Sequence, residues 1–275
     1  MSEFTYIGKK VPRIDAREKV TGKTRYSTDL YPAGMLWGKV KWSDRAHARI
    51  VRLDVSRARE LPGVAAVLTH EDVPGHNGFG IITPNWPVLC VDRVRYRGDA
   101  LALVAAEDEE TAERAVSLIE VEYDPLPVID TPEQALAPGA VAIHENGNVM
   151  HTMELFKGDV ERALAASELV LERTYATQFM EHAYIETEGG LAVHDPETGV
   201  ITIWCGDQYA FRDQLQVARS LDWDPLKIRV IGSPTGGAFG GKDEISVQIH
   251  LALLAVRTGR PVRLHWTREE SIRVG

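Results

Sequence analysis

The chain has 275 residues, 44% of them hydrophobic and 26% charged, with a formal net charge of −9. That is the balance of a globular protein of about two domains. No apolar run approaches the roughly 20 residues a bilayer span requires, so no membrane partner is expected. Arg and Lys are scattered among acidic residues, which excludes the concentrated basic face that nucleic acid needs.

The opening Met1-Ser2-Glu3-Phe4-Thr5-Tyr6 has no basic region followed by an apolar stretch. No signal peptide is expected, and a cytoplasmic location is. The two cysteines, Cys90 and Cys205, flank apolar strand-like segments and read as buried reduced thiols. They cannot hold an iron–sulfur cluster, which takes about four thiolates. Any such cluster belongs to another chain.

In chain order, Met35–Lys41 and Arg49–Val55 alternate or run apolar like strands. Ser56 is the expected cap of a short helix that stops at Pro62-Gly63, and Val64–Thr69 is a further strand. Ala100–Ala106 reads as a buried strand. Glu107–Ser117 reads as a helix whose acidic first turn suits its dipole, and Ile119–Tyr123 as a strand. Residues 124–156 carry Pro125, Pro127, Pro132 and Pro138 and read as an extended linker. A short helix is expected over Asp159–Ala166 and a strand over Leu169–Thr177. Leu191–His194 and Val200–Trp204 should pair around the turn Asp195-Pro196-Glu197-Thr198-Gly199. Tyr209–Leu221 reads as a helix and Lys227–Ile231 as a strand. Glu244–Thr258 reads as a helix apolar almost all round, stopped by Gly259. Pro261–Trp266 is a strand, and Thr267 caps a last helix. The chain ends at Gly275 as that element begins, so the rest of the core is expected from a partner chain or from sequence beyond this one.

The segment with most chemistry is Gly232-Ser233-Pro234-Thr235-Gly236-Gly237-Ala238-Phe239-Gly240-Gly241-Lys242-Asp243-Glu244. Its glycines, between a strand and a buried helix, let backbone approach a ligand closely. Exposed amides at the helix start would favour an anion or a polarised oxygen. Phe239 is odd for a mere turn and could form a flat wall beside a ligand. The stretch from Gly236 to Lys242 nearly matches a nucleotide phosphate loop, but Asp243 stands where Ser or Thr should ligate magnesium. A purely structural glycine turn is the third reading. Asp243 and Glu244 could likewise be simple first-turn acids of the helix.

Gly236-Gly237-Ala238-Phe239-Gly240-Gly241-Lys242 resembles the glycine–phenylalanine loop of the molybdenum hydroxylases, the xanthine dehydrogenase/aldehyde oxidase family. Ile7-Gly8-Lys9-Lys10-Val11-Pro12-Arg13 with Lys19-Val20-Thr21-Gly22-Lys23 resembles the start of that family's large subunits. Gly158-Asp159-Val160-Glu161-Arg162-Ala163, Glu181-His182-Ala183-Tyr184-Ile185-Glu186, Arg260-Pro261-Val262-Arg263 and Thr267-Arg268-Glu269-Glu270-Ser271 resemble later blocks, in the family's order.

The resemblance covers essentially the whole chain. It implies an α+β fold: an α/β hammerhead domain over 15–130, a linker over 131–157, and the first, incomplete part of a molybdopterin-binding domain over 158–275. The implied cofactor is molybdopterin with molybdenum, in its cytosine dinucleotide form. The implied reaction is hydroxylation of an electron-poor carbon in a purine-like N-heterocycle or an aldehyde, with oxygen from water. Implied partners are a second molybdopterin-subunit chain, an iron–sulfur subunit with 2Fe-2S clusters, and an FAD subunit.

Implied cofactor contacts are Gln208, Gly237, Ala238, Phe239, Gly240, Gly241 and Met180. Asp243 and Glu244 are the implied substrate residues. Xanthine-oxidising relatives have a hydrogen-bonding glutamine where this chain has Met180, whose thioether cannot donate. Asp207-Gln208 could equally cap the following helix. His182 is tempting as a base but reads more readily as a satisfied structural histidine. The family's base is a glutamate from a C-terminal region not in this chain, so no catalytic residue and no protein metal ligand is expected here. The alternatives are a noncatalytic scaffold subunit of such a complex and a nucleotide-binding protein with a phosphate loop.

Overall fold

The computed structural model describes residues 4–274; Met1, Ser2, Glu3 and Gly275, on which the readings of the two chain ends partly fell, lie outside the described residues. The chain divides into two units. One runs up to Pro125 and resumes at His182, and the other is Leu126–Glu181.

The first unit begins with α1 (Ala16–Val20), β1 (Leu36–Trp42), β2 (Ala48–Asp54), α2 (Ser56–Arg59) and β3 (Val64–Leu68). It continues with β4 (Arg93–Val94), β5 (Ala100–Ala106), α3 (Glu109–Ser117) and β6 (Glu120–Pro125). The second unit holds α4 (Pro132–Leu136) and α5 (Val160–Ala165). The first unit then resumes with β7 (Gly189–Asp195), β8 (Val200–Cys205), α6 (Ala210–Leu221), β9 (Ile228–Gly232), α7 (Gln248–Thr258), β10 (Val262–His265) and α8 (Arg268–Val274).

Seven strands form one sheet in the order β3-β5-β1-β10-β7-β8-β9, and β4-β2-β6 form a second. The large sheet is stitched from both stretches of the first unit: β1 runs parallel to β10, with Leu36 beside Val262. The run Ala100–Ala106 is apolar throughout because both faces of β5 are covered. Leu103 and Ala105 pack in the cluster that contains α7 residues Leu251 and Leu254. Ala102, Val104 and Ala106 pack with Ala112 and Ala115 of α3. That alternation follows from the two-residue period of a strand. The strand–helix–strand unit expected over 100–123 is present, but β5 and β6 belong to different sheets.

α7 is buried from Gln248 to Ala255, as an all-round apolar helix must be. Gly259 ends it in the left-handed region at φ +63°. The β7–β8 turn is held by Asp195, whose carboxylate accepts from the Glu197 amide at 2.9 Å and the Thr198 hydroxyl at 2.7 Å. Thr267 and Glu270 cap α8 reciprocally: the Glu270 amide donates to Thr267 Oγ1 at 3.2 Å, and the Thr267 amide to Glu270 Oε2 at 2.7 Å.

Three expectations fail. The helix over Glu244–Thr258 starts only at Gln248; the Glu244 carboxylate accepts instead from Gln216, from Ile81 and from the adjacent Ile245 amide. The strand expected over Leu169–Thr177 is absent. Its Leu169, Val170 and Leu171 are exposed, and strand propensity is realised only against a neighbouring strand. The start of α2 is held by Asp54, not Ser56: the Ser56 amide and hydroxyl both donate to Asp54 Oδ1.

Leu103→Ala should lower unfolding stability by about 2–5 kcal/mol, the range for a leucine deleted from a packed core. Val51→Ala, at an exposed position of β2, should stay within about 0.5 kcal/mol. Urea unfolding of the two variants measures the difference.

Candidate functional site

The β7-β8-β9 pairing brings three segments to one end of the sheet. β8 and β9 are parallel, with Cys205 beside Gly232, so the chain leaves both at the same end. β7 is antiparallel to β8, with Gly190 beside Cys205, so the segment before β7 arrives there too. Residues 182–188, 206–208 and 233–247 therefore converge. Crevices outside the carboxyl ends of parallel strands are favoured ligand sites.

The glycine loop is tied at both ends to one oxygen. Glu186 Oε2 accepts from the Gly236 amide at 2.7 Å and from Lys242 Nζ at 2.9 Å. The Glu186 amide returns a bond to the Gly236 carbonyl at 3.3 Å. Beneath the loop lies Tyr184, 1% exposed, with the Lys242 ammonium 4.8 Å from its ring centroid and its hydroxyl donating to Glu188 Oε1. A Cβ at Gly241 would sit 2.6 Å from Tyr184 Cε1, and one at Gly236 2.7 Å from Glu186 Cβ. Glycine is needed there for close approach. Arg268, at the start of α8, donates to the carbonyls of Tyr184 and Ile185.

The outer side of the loop is different. Among the described residues, the amides of Gly237, Ala238, Phe239 and Gly240 donate to nothing. Phe239 stands at φ +52° and is 77% exposed. Gln208 is tied in through its amide, which donates to the Lys242 carbonyl at 3.1 Å, and its side chain is exposed.

Asp243 and Glu244 are not first-turn acids, since α7 begins four residues beyond Glu244. Glu244 is fully engaged: Oε1 accepts from Gln216 Nε2 at 2.8 Å and the Ile245 amide at 3.0 Å, and Oε2 from the Ile81 amide at 3.0 Å. Asp243 is half-buried, and its carboxylate has no partner among the described residues. His182 is exposed and makes no hydrogen bond among the described residues, so it is not the satisfied structural histidine expected. Met180 belongs to the other unit, and its sulfur accepts from Gln178 Nε2 at 3.5 Å.

The phosphate-loop reading is overturned. Its lysine would have to reach phosphates, but the Lys242 side chain is 1% exposed and already paired with Glu186. The helix start that would cradle an anion is itself buried at Gln248. Sequence reasoning missed the Tyr184–Glu186–Lys242 assembly. Its signal was the charged pair of Glu186 and Lys242 within otherwise apolar or glycine-rich surroundings.

Two domain families match this chain. Residues 21–127 match the aldehyde oxidase and xanthine dehydrogenase a/b hammerhead domain, and residues 143–275 match the molybdopterin cofactor-binding domain. The chain belongs to the molybdenum hydroxylase family.

Within that family it is 52% identical to a probable xanthine dehydrogenase subunit of Bacillus subtilis, over 96% of this chain and 35% of that protein. It is 40% identical to the nicotinate dehydrogenase large molybdopterin subunit of Eubacterium barkeri, over 99% of this chain and 64% of that subunit. Quinoline 2-oxidoreductase from Pseudomonas putida 86 superposes with a TM-score of 0.88 at 31% identity, covering 96% of this chain and 35% of that one. Aldehyde oxidoreductase from Desulfovibrio gigas does so with 0.88 at 28% identity, covering 98% of this chain and 31% of that one. The chain thus spans from about a third to under two-thirds of these relatives' length.

A molybdopterin cofactor is anionic and rich in oxygens, and the amides from Gly237 to Gly240, which make no hydrogen bond among the described residues, are donors of the kind that would fit it. So would the open face at Gly240, where an added Cβ would find only His182 Nε2, at 3.8 Å.

Cys205, half-buried Asp207 and buried Asp213 form a cluster at the end of β8 and the start of α6. Ligand atoms of Cys205, Asp207 and Asp213 all lie within 4.8 Å of one another. Burial pushes the Cys205 thiol well up and raises the Asp207 carboxyl. Burial first, then the Asp207 charge, push the Asp213 carboxyl up to about 7. Gln248 Nε2 donates to Asp213 Oδ2 at 2.7 Å.

Between about pH 4 and 7 the folded chain keeps a proton on Asp213 that the unfolded chain has lost. Its contribution is therefore full below about pH 4 and declines as pH rises through 7. Urea unfolding from pH 4 to 8 should show that decline, and Asp213→Asn should make it shallower. An unchanged slope would disprove the assignment.

Proposed function

We propose that this chain is the cofactor-contacting part of a molybdopterin subunit in a molybdenum hydroxylase acting on an N-heterocycle or an aldehyde, with water as the oxygen source. The observation that carries the reading is the row of amides from Gly237 to Gly240 that make no hydrogen bond among the described residues, around an exposed Phe239. The bound molybdenum–pterin supplies the two-electron redox chemistry. The protein's part is to hold and orient it. The loop amides serve as donors to the cofactor, Phe239 provides a wall beside the reacting carbon, and the Gln208 carboxamide is a further polar contact.

For the substrate, Asp243 is favoured over Glu244, whose oxygens already hold Gln216, Ile81 and Ile245. The names of two relatives, nicotinate dehydrogenase and quinoline 2-oxidoreductase, point to N-heterocycles.

Partner chains are part of the proposal: a second molybdopterin-subunit chain carrying the general-base glutamate, an iron–sulfur subunit with 2Fe-2S clusters, and an FAD subunit. The cofactor's cytosine dinucleotide form and a cytoplasmic location belong to the same proposal. Met150, Leu155, Phe156, Tyr175 and Phe179, all within the Leu126–Glu181 unit, are each at least 83% exposed, and apolar exposure on that scale marks an interaction surface. Among the described residues no helix is long and apolar enough to cross a membrane.

The native complex should contain molybdenum and pterin in fixed ratio to this chain, measured by metal analysis and by fluorescence of the oxidised pterin. A complex without molybdenum would remove the proposal. Phe239→Ala should lower kcat by about 100-fold, as displacement of reacting groups by about 1 Å does, while assembly by size-exclusion chromatography stays intact. The isolated chain should not oxidise N-heterocycles with a dye acceptor.

A further inference from the structure

The Gly237–Gly240 amides, which make no hydrogen bond among the described residues, can serve a ligand only if the loop cannot collapse onto itself. A free seven-residue glycine-rich stretch samples many backbone states, so something must choose one. Three features of the 184–188 segment do so. Glu186 Oε2 accepts from Gly236 at the loop's entry and from Lys242 at its exit, at 2.7 and 2.9 Å. Tyr184 fills the space under the loop, where Cβ atoms at Gly237 and Gly241 would lie 3.0 Å from its Cβ and 2.6 Å from its Cε1. The Tyr184 hydroxyl is in turn fixed by Glu188, which is 2% exposed.

We propose that Glu186, with Tyr184 beneath it, is a positioning residue of the cofactor site: one carboxylate oxygen clamps both ends of the glycine loop and turns the Gly237–Gly240 amides toward the cofactor. The inference rests on the function proposed above and adds to it the part that holds the donors in place. Glu186 touches neither cofactor nor substrate; it acts through the loop. Groups one step removed from a metal centre in this way typically change affinity or activity by about 10- to 100-fold when replaced.

The test must separate positioning from simple stability, because removing one partner of a buried pair leaves the other charge stranded. The informative variant is therefore Glu186→Leu combined with Lys242→Met, made in the native complex. It removes both charges and leaves apolar groups of similar size, which is often neutral for stability. Near-wild-type unfolding confirms that it folds; if it does not, Glu186→Gln with Lys242→Met serves in its place: it keeps the shape and an acceptor for Gly236 but frees the loop's exit, so exchange is then read at Gly241 and Asp243.

Two readouts follow. Hydrogen–deuterium exchange, which needs no cofactor, should be at least about 10-fold faster for the amides of Gly236, Gly241 and Asp243 once the bridge is gone, with Leu191–Cys205 and Gln248–Thr258 unchanged. The molybdenum content per chain should fall by about 10-fold or more, and the Mo(V) electron paramagnetic resonance signal of what remains should change shape. Unchanged loop exchange in a folded variant overturns the clamp. So do accelerated exchange with wild-type molybdenum content and an unaltered signal. If the wild-type complex itself holds no molybdenum, the functional proposal fails, and exchange alone decides whether the clamp exists.

Discussion

A carboxylate withdrawn from water must find donors, and the donors Glu186 finds set the shape of the site. Burial of an unpaired charge costs several kcal/mol even after relaxation. Here the charge is offset by a lysine and a backbone amide that belong to opposite ends of one loop. The same pairing takes Lys242 out of any contest for an anionic ligand. The electrostatics that organise this end of the sheet are therefore internal. What is left for a ligand, among the described residues, is the unpaired backbone amides, the Gln208 side chain, the Phe239 ring and the Asp243 carboxylate, with no free cation from the loop.

Sheet topology explains why these groups meet at all. The parallel pair β8 and β9 discharges two chain segments at one end, and the antiparallel β7 receives a third. The long-range β1–β10 pairing locks this corner to the sheet's other half, with α7 as the shared buried layer. A site built this way stands on a packed core, while its contacting groups lie on loops that can be shaped without disturbing it.

Much of this was legible in the sequence, and what was not has a common cause. The unbroken apolar run of β5, the turn Asp195–Gly199 and the Gly259 stop are local signals, and each stands within a residue or two of its expected place. Glu244 looked like a helix start because a neighbouring helix was real. Its actual partners, Gln216 and Ile81, are 28 and 163 residues away, and no local pattern encodes them. Leu169–Thr177 looked like a strand because apolar composition does not say whether a partner strand exists. The glycine loop was visible from its composition, but its clamp spans 56 residues. That pairing could only be suspected from two opposite charges placed where burial was expected.

Phe239 supplies the last step. A non-glycine residue in the left-handed region is disfavoured by about 1–2 kcal/mol, and a large aromatic ring left in water forgoes the roughly 1.5–3 kcal/mol its burial would contribute. Both disadvantages fall on one residue, and neither helps this chain to fold; glycine at that position would relieve both. Strain gathered on an exposed residue between amides without partners supports the proposed ligand-facing role of Phe239. A phosphate would be met by the lysine, and a purely structural turn would need no ring. A flat aromatic ring beside backbone amides without partners is what the proposed function, a planar substrate beside a pterin-held metal, would call for.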